Sequence, residues 1–184
     1  GGDQLTITAS GNYASANAGT NLSYTLSTIV LSGADAANYA FSSSVTGTNG
    51  VITKAVLTIS GATAANKVYD GSNSLSGNQV SLTGITLNGV TQTLSYTNAT
   101  ASDANVATAN KYISAITLTS GTGTASNYAL PTLNASNAPV TISAATAKVV
   151  VSKTYDGTTA LTIGNVTITG VNNTVLGFSL DSAT

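Results

Sequence analysis

General acid–base chemistry in this chain would fall to carboxylates, and those are scarce. The charged residues are Lys54, Lys67, Lys111, Lys148 and Lys153 with Asp3, Asp35, Asp70, Asp103, Asp156 and Asp181; His, Cys, Arg and Glu are missing altogether. Without His no side chain titrates near neutrality, and without Cys there is neither a thiolate nucleophile nor a soft metal ligand. A Lys beside an Asn or Asp could form an intramolecular isopeptide bond, but that reaction also needs a buried acid, and no motif marks one. Calcium is the one cofactor the composition leaves open. A good site gathers six to eight oxygens, with several carboxylates close in sequence, whereas no two aspartates here lie within ten residues of each other. The expectation is therefore no catalytic residue, no cofactor-binding residue, no metal ligand, and a protein that is not an enzyme.

The elements behind these residues must be built from an almost uncharged chain. Only 6% of the 184 residues are charged, against roughly 25% in typical soluble domains, and the net charge is -1. Five scattered lysines cannot make the phosphate-neutralising stripe of a nucleic-acid binder. Hydrophobic residues make up 42%, enough for a folded chain. No apolar run reaches the roughly 18 residues of a membrane helix, and the start Gly1-Gly2-Asp3 lacks the basic and apolar regions of a signal peptide. A surface of Thr, Ser, Asn and Gly points to an exported bacterial protein, secreted or on the cell surface.

The sequence repeats itself. Lys67-Val68-Tyr69-Asp70-Gly71 recurs 86 residues later as Lys153-Thr154-Tyr155-Asp156-Gly157, and Asn38-Tyr39-Ala40 recurs 89 residues later as Asn127-Tyr128-Ala129. A period of about 88 residues suits one small antiparallel β-sandwich per unit. Within the units apolar residues alternate with Thr or Ser at Leu5/Ile7, Leu57/Ile59, Ile116/Leu118 and Val166/Ile168, the pattern of half-buried strands. Asn49-Gly50, Asn88-Gly89 and Asn172-Asn173 read as hairpin turns, because a type I′ turn needs positive φ at both central residues. Asp-Gly is turn chemistry too, so Asp70-Gly71 and Asp156-Gly157 are expected to turn, with Tyr69 and Tyr155 in equivalent, largely buried positions. The fold class expected is all-β, tandem immunoglobulin-like antiparallel sandwiches.

At the two Lys-x-Tyr-Asp-Gly sites, together with the preceding strand, the Asn-Tyr-Ala near each unit's end and the Ile-Thr strand that closes it, the sequence resembles the YDG/MBG family of bacterial immunoglobulin-like repeats. Members of that family stand in tandem in large secreted adhesins and haemagglutinin-like proteins. The resemblance implies a structural stalk that projects a distal binding domain for cell adhesion or biofilm formation. It gives Lys67, Tyr69, Asp70, Gly71, Lys153, Tyr155, Asp156, Gly157, Tyr39 and Tyr128 structural roles in the repeat. Where family members commonly carry a Pro-Ala step between units, this chain has Lys54-Ala55 and Ala144-Ala145.

With the motif near the start of each unit, residues 55–145 form one complete repeat, 1–54 the C-terminal part of one before it and 146–184 the N-terminal part of one after it. The alternative phase is two complete domains, about 1–94 and 95–184. Leu5-Thr6-Ile7-Thr8, Leu94-Ser95-Tyr96-Thr97 and Phe178-Ser179-Leu180-Asp181 read as the same strand in successive units. The expected partners are neighbouring repeats of the same protein. Head-to-tail self-association into a fibre by strand complementation and recognition of a polysaccharide or host glycan are the alternatives. Thr-x-Thr pairs such as Thr6/Thr8 and Thr117/Thr119 do not make an ice-binding face, because twisted strands would not align them in a flat array.

Overall fold

The computed structural model describes residues 2–63 and 66–179. The chain is mostly β, and among the described residues its helical elements are single 3-10 turns of three residues. Strands β1 (Thr6–Tyr13), β2 (Gly19–Ser32) and β3 (Val45–Ile52) form an antiparallel meander in that order. Nine short strands follow: β4 (Ala55–Val56), β5 (Thr58–Ser60), β6 (Ser74–Leu75), β7 (Ser81–Thr83), β8 (Ile85–Leu87), β9 (Val90–Gln92), β10 (Leu94–Ala101), β11 (Ile113–Ser120) and β12 (Tyr128–Ala129). β10 is flanked by β11 and β6, β5 pairs with β7, and β8 with β9. An antiparallel pair, β13 (Lys148–Val151) and β14 (Val166–Thr169), lies beyond them.

Alternation of branched apolar residues with Thr and Ser gives these strands one face to bury. Among the described residues that face becomes a core only in the middle of the chain. Ile59, Ala62, Leu75, Val80, Ala99, Ala101, Ile113, Ala138, Val140 and Ile142 form one buried cluster, with Tyr69, Leu82, Tyr96, Ile116, Leu130 and Leu133 packed against it. Large apolar side chains left exposed include Ile7, Val30 and Val51 before it and Val149, Leu161 and Val175 after it.

Not every pair is antiparallel. β4 runs parallel to β12, and Val68 bridges Ser143 in parallel. The reason is topological: the chain enters the central region at one end of its strands and leaves at the other, so the first and last segments point the same way.

Turn chemistry holds at two of the three expected hairpins. Asn88 (φ 50°) and Gly89 (φ 80°) join β8 to β9, and Asn172 (φ 55°) and Asn173 (φ 58°) close a turn in which the Gly170 amide donates to the Thr174 carbonyl at 2.8 Å. Asn49-Gly50 is not a turn: both residues lie inside β3. A Cβ on Gly50 would sit 2.3 Å from the Tyr13 ring, so glycine serves close approach of an aromatic ring there. Phe178 and Ser179 lie outside any strand, and Leu180-Asp181 fall outside the described residues.

Candidate functional site

The two Lys-x-Tyr-Asp-Gly segments close the same turn. In the first, the Ser72 amide donates to Asp70 Oδ1 at 2.9 Å, and Gly71 takes φ +82°; in the second, the Thr158 amide donates to Asp156 Oδ1 at 3.0 Å, and Gly157 takes φ +76°. Glycine is needed at both because a side chain is strained in that left-handed region. In each the lysine folds back on the aspartate three residues on, Lys67 Nζ to Asp70 Oδ2 at 2.9 Å and Lys153 Nζ to Asp156 Oδ1 at 2.7 Å. The hydrogen bond from its lysine is the main cause that holds each carboxyl below the usual aspartate value, and the turn amide adds to it.

Their surroundings differ. Lys67 is 1% exposed, and Tyr69 is half-buried against the core. The Tyr69 amide donates to the Ser143 carbonyl at 2.9 Å, and the Ser143 amide returns a bond to the Lys67 carbonyl at 3.0 Å, so the motif is stitched to the segment that leaves the central region. Tyr155, expected to be buried like Tyr69, is 93% exposed.

Lys153 is held instead by its own loop, donating to the Thr158 carbonyl at 3.0 Å, Thr158 Oγ1 at 2.7 Å and the Ala160 carbonyl at 2.7 Å. The Asn-Tyr-Ala tyrosines diverge as well. Tyr128 is buried in β12 with its hydroxyl on Gln92 Oε1. Tyr39 is half-exposed, and its hydroxyl donates to Asp3, which raises its pKa.

Chemically the Lys67–Asp70 pair is an ion pair. Amide formation between them would need a neutral amine and a protonated acid, whereas the lysine keeps Asp70 ionised and the carboxylate faces solvent. Among the described residues no three carboxylates converge as a metal site would require.

Sequence reasoning did not single out Lys111, which is buried with its ammonium on the Val106 and Thr108 carbonyls, while Asp103 caps the same loop through the Asn105 amide and the Thr108 hydroxyl. It also missed the asparagines at the joins. Asn127 accepts from the Ala18 amide at 2.9 Å and donates to Asn17 Oδ1 at 2.9 Å, and Asn172 Nδ2 donates to the Asp70 carbonyl at 3.3 Å. The scarcity of lysine in so uncharged a chain is the signal that could have drawn attention to Lys111.

A family model described as the YDG domain matches residues 1–47 and 53–135, more than half of the chain. No curated protein and no solved structure matches it. The second Lys-x-Tyr-Asp-Gly, at 153–157, lies beyond the matched residues, though its turn repeats the geometry of the first. The chain belongs to the YDG domain family.

Proposed function

We propose that this chain is a run of structural stalk repeats from a large extracellular bacterial adhesin, and that it holds a distal binding domain away from the cell. In this reading each unit is an immunoglobulin-like β-sandwich of about 88 residues, 55–145 being a whole one. The observation that carries it is end-to-end arrangement without slack. The N-terminal region touches the central one at Asn127, beside the Leu94 end of β10, and the C-terminal region touches it at Asp70, near the Ala101 end, where the Ala101 amide bonds Asn73. Short segments, 53–54 and 144–147, join the three regions, which limits how far they can swing. The accessible surface of 11971 Å² supports an extended chain, since a compact monomer of 18.1 kDa would expose about 8,100 Å².

A spacer has no ligand of its own. Screened on a glycan array, the 184-residue chain is expected to bind nothing; binding to any glycan at moderate affinity would replace the spacer reading with a recognition module.

A further inference from the structure

We propose that Asn88 is a site of spontaneous covalent modification: in the folded chain the Gly89 amide closes on the Asn88 side chain, and the asparagine becomes aspartate or isoaspartate. The inference stands on the β8–β9 hairpin and goes beyond the stalk reading.

Four steps in the sequence have the composition for this reaction, Asn49-Gly50, Asp70-Gly71, Asn88-Gly89 and Asp156-Gly157. An asparagine or a protonated aspartate offers a side-chain carbonyl carbon within reach of the next backbone nitrogen. A glycine there leaves that nitrogen unshielded and its backbone free to turn. Composition makes the four alike, and the structure separates them.

Both aspartates are guarded. Asp70 and Asp156 accept hydrogen bonds from Lys67 and Lys153, which hold each carboxyl below the usual aspartate value, so each stays a carboxylate, a poor target for a nitrogen nucleophile. Each also accepts the amide two residues on, from Ser72 and Thr158, which ties the side chain to its turn. Asn49 is guarded by the sheet. It lies inside β3, and Gly50 is buried opposite Leu22 of β2 with the Tyr13 ring against it. Ring closure there needs the Asn49–Gly50 peptide to rotate, so the strand must first open locally.

Nothing of this kind holds Asn88-Gly89. The pair forms the turn between β8 and β9, with φ of 50° and 80°, and both residues are exposed. Among the described residues neither the Asn88 carboxamide nor the Gly89 amide makes a hydrogen bond, and a Cβ on Gly89 would meet nothing within 4 Å. The ladder below stays closed through Leu87 opposite Val90 and the Thr86–Thr91 hydroxyl bond at 2.9 Å, so only the turn peptide has to move.

The step balances with water as its one co-reactant and no change of oxidation state. The Gly89 nitrogen gives its proton to solvent base and bonds to Asn88 Cγ; the Cγ–Nδ2 bond breaks, and Nδ2 takes a proton and leaves as ammonia. Water then opens the cyclic imide at either carbonyl. One opening leaves aspartate at 88, and the other routes the backbone through Cβ and Cγ and lengthens the turn. The product falls at a joint: Asn88 lines a cleft of about 710 Å³ between the N-terminal and central regions with Asn17, Ile52, Gln92 and Asn127, and among the described residues no charged side chain lines it. Modification therefore places a carboxylate where the two regions meet.

A peptide map by mass spectrometry tests this on the 184-residue chain held folded in mildly alkaline buffer, beside the same chain unfolded in guanidinium. In the folded chain the amide-to-acid mass change is expected at Asn88 well ahead of Asn49, with isoaspartate at 88 before any at Asp70 or Asp156. Because the attacking nitrogen must lose its proton, the rate at Asn88 should climb with pH. In guanidinium Asn49 should catch up with Asn88. Equal rates at the two asparagines in the folded chain would overturn the proposal, as would an Asn88 that stays intact there while the unfolded chain reacts. An Asn49 that remains the slower in guanidinium also counts against it, because the sheet would then not be what protects that step.

Discussion

The two copies of Lys-x-Tyr-Asp-Gly have nearly the same sequence and the same turn, yet one is part of a core and the other stands in solvent. Around Asp70 the lysine is buried, and its ammonium has a single polar partner among the described residues. Around Asp156 the lysine has that partner plus three oxygens from its own loop. The turn is thus a local property of five residues, fixed by an aspartate that bonds the amide two residues on and a glycine free to take positive φ. Burial depends on what packs over the turn from elsewhere in the chain: the first motif lies against the central core and is bonded to Ser143. A lysine that its own loop satisfies where its side chain is only partly covered comes to depend on one carboxylate once a core closes over it.

That contrast can be broken first at the core. Leu75→Ala should cost about 3 kcal/mol, as truncation of a buried leucine does, and the same change at the exposed Leu161 should leave the denaturant midpoint where it was; similar losses at both sites would erase the distinction. Tyr69→Ala is expected to cost about 2 kcal/mol for a half-buried ring. Tyr155→Ala should change nothing measurable in chemical denaturation of the dilute monomer, and a clear loss there would mean that the second motif is packed after all.

The polar pair sharpens the comparison. Asp70→Asn leaves the Lys67 charge buried without its counter-ion and should cost about 1–2 kcal/mol, less than a fully buried pair would because Asp70 faces water. Asp156→Asn should leave stability unchanged, since the loop oxygens still hold Lys153.

The smallest effect is on the acid limb. The Asp70 pKa is lowered in the folded chain by the hydrogen bond from Lys67. Its contribution is therefore present above the unfolded value of about 3.9 and lost as pH falls through the lower folded value. Stability of the native chain should decline from about pH 4 downwards, and the decline should be shallower in Asp70→Asn. Identical acid profiles would show that the pair carries no linkage.

Much of the fold was legible because its signals are local. Alternation at Ile116/Leu118 and Val166/Ile168 marks real strands, Leu5/Ile7 falls at the start of β1, which begins one residue after Leu5, and Asn88-Gly89 makes the hairpin its φ tolerance allows. Asn49-Gly50 misled because glycine has two uses: the residue that permits a turn also permits Tyr13 to lie against β3. Tyr155 misled because a pentapeptide says nothing about which distant strands cover it. The shared register of β1–β2 and β10–β11 was hidden by bulges at Ser27, Thr97 and Ser114, which blur a common spacing into several slightly different ones. Burial of Lys67 and Lys111 was illegible in a different sense, because charged side chains are normally exposed, and only tertiary packing shows which backbone oxygens and carboxylates can satisfy them.

Small-angle scattering extrapolated to infinite dilution tests the central claim, a rod of repeats joined end to end, most directly. A compact globule of 184 residues has a radius of gyration of about 16 Å. A rod of repeats gives a value well above that, with a scattering cross-section of one unit's width; a radius near the globular figure would contradict it.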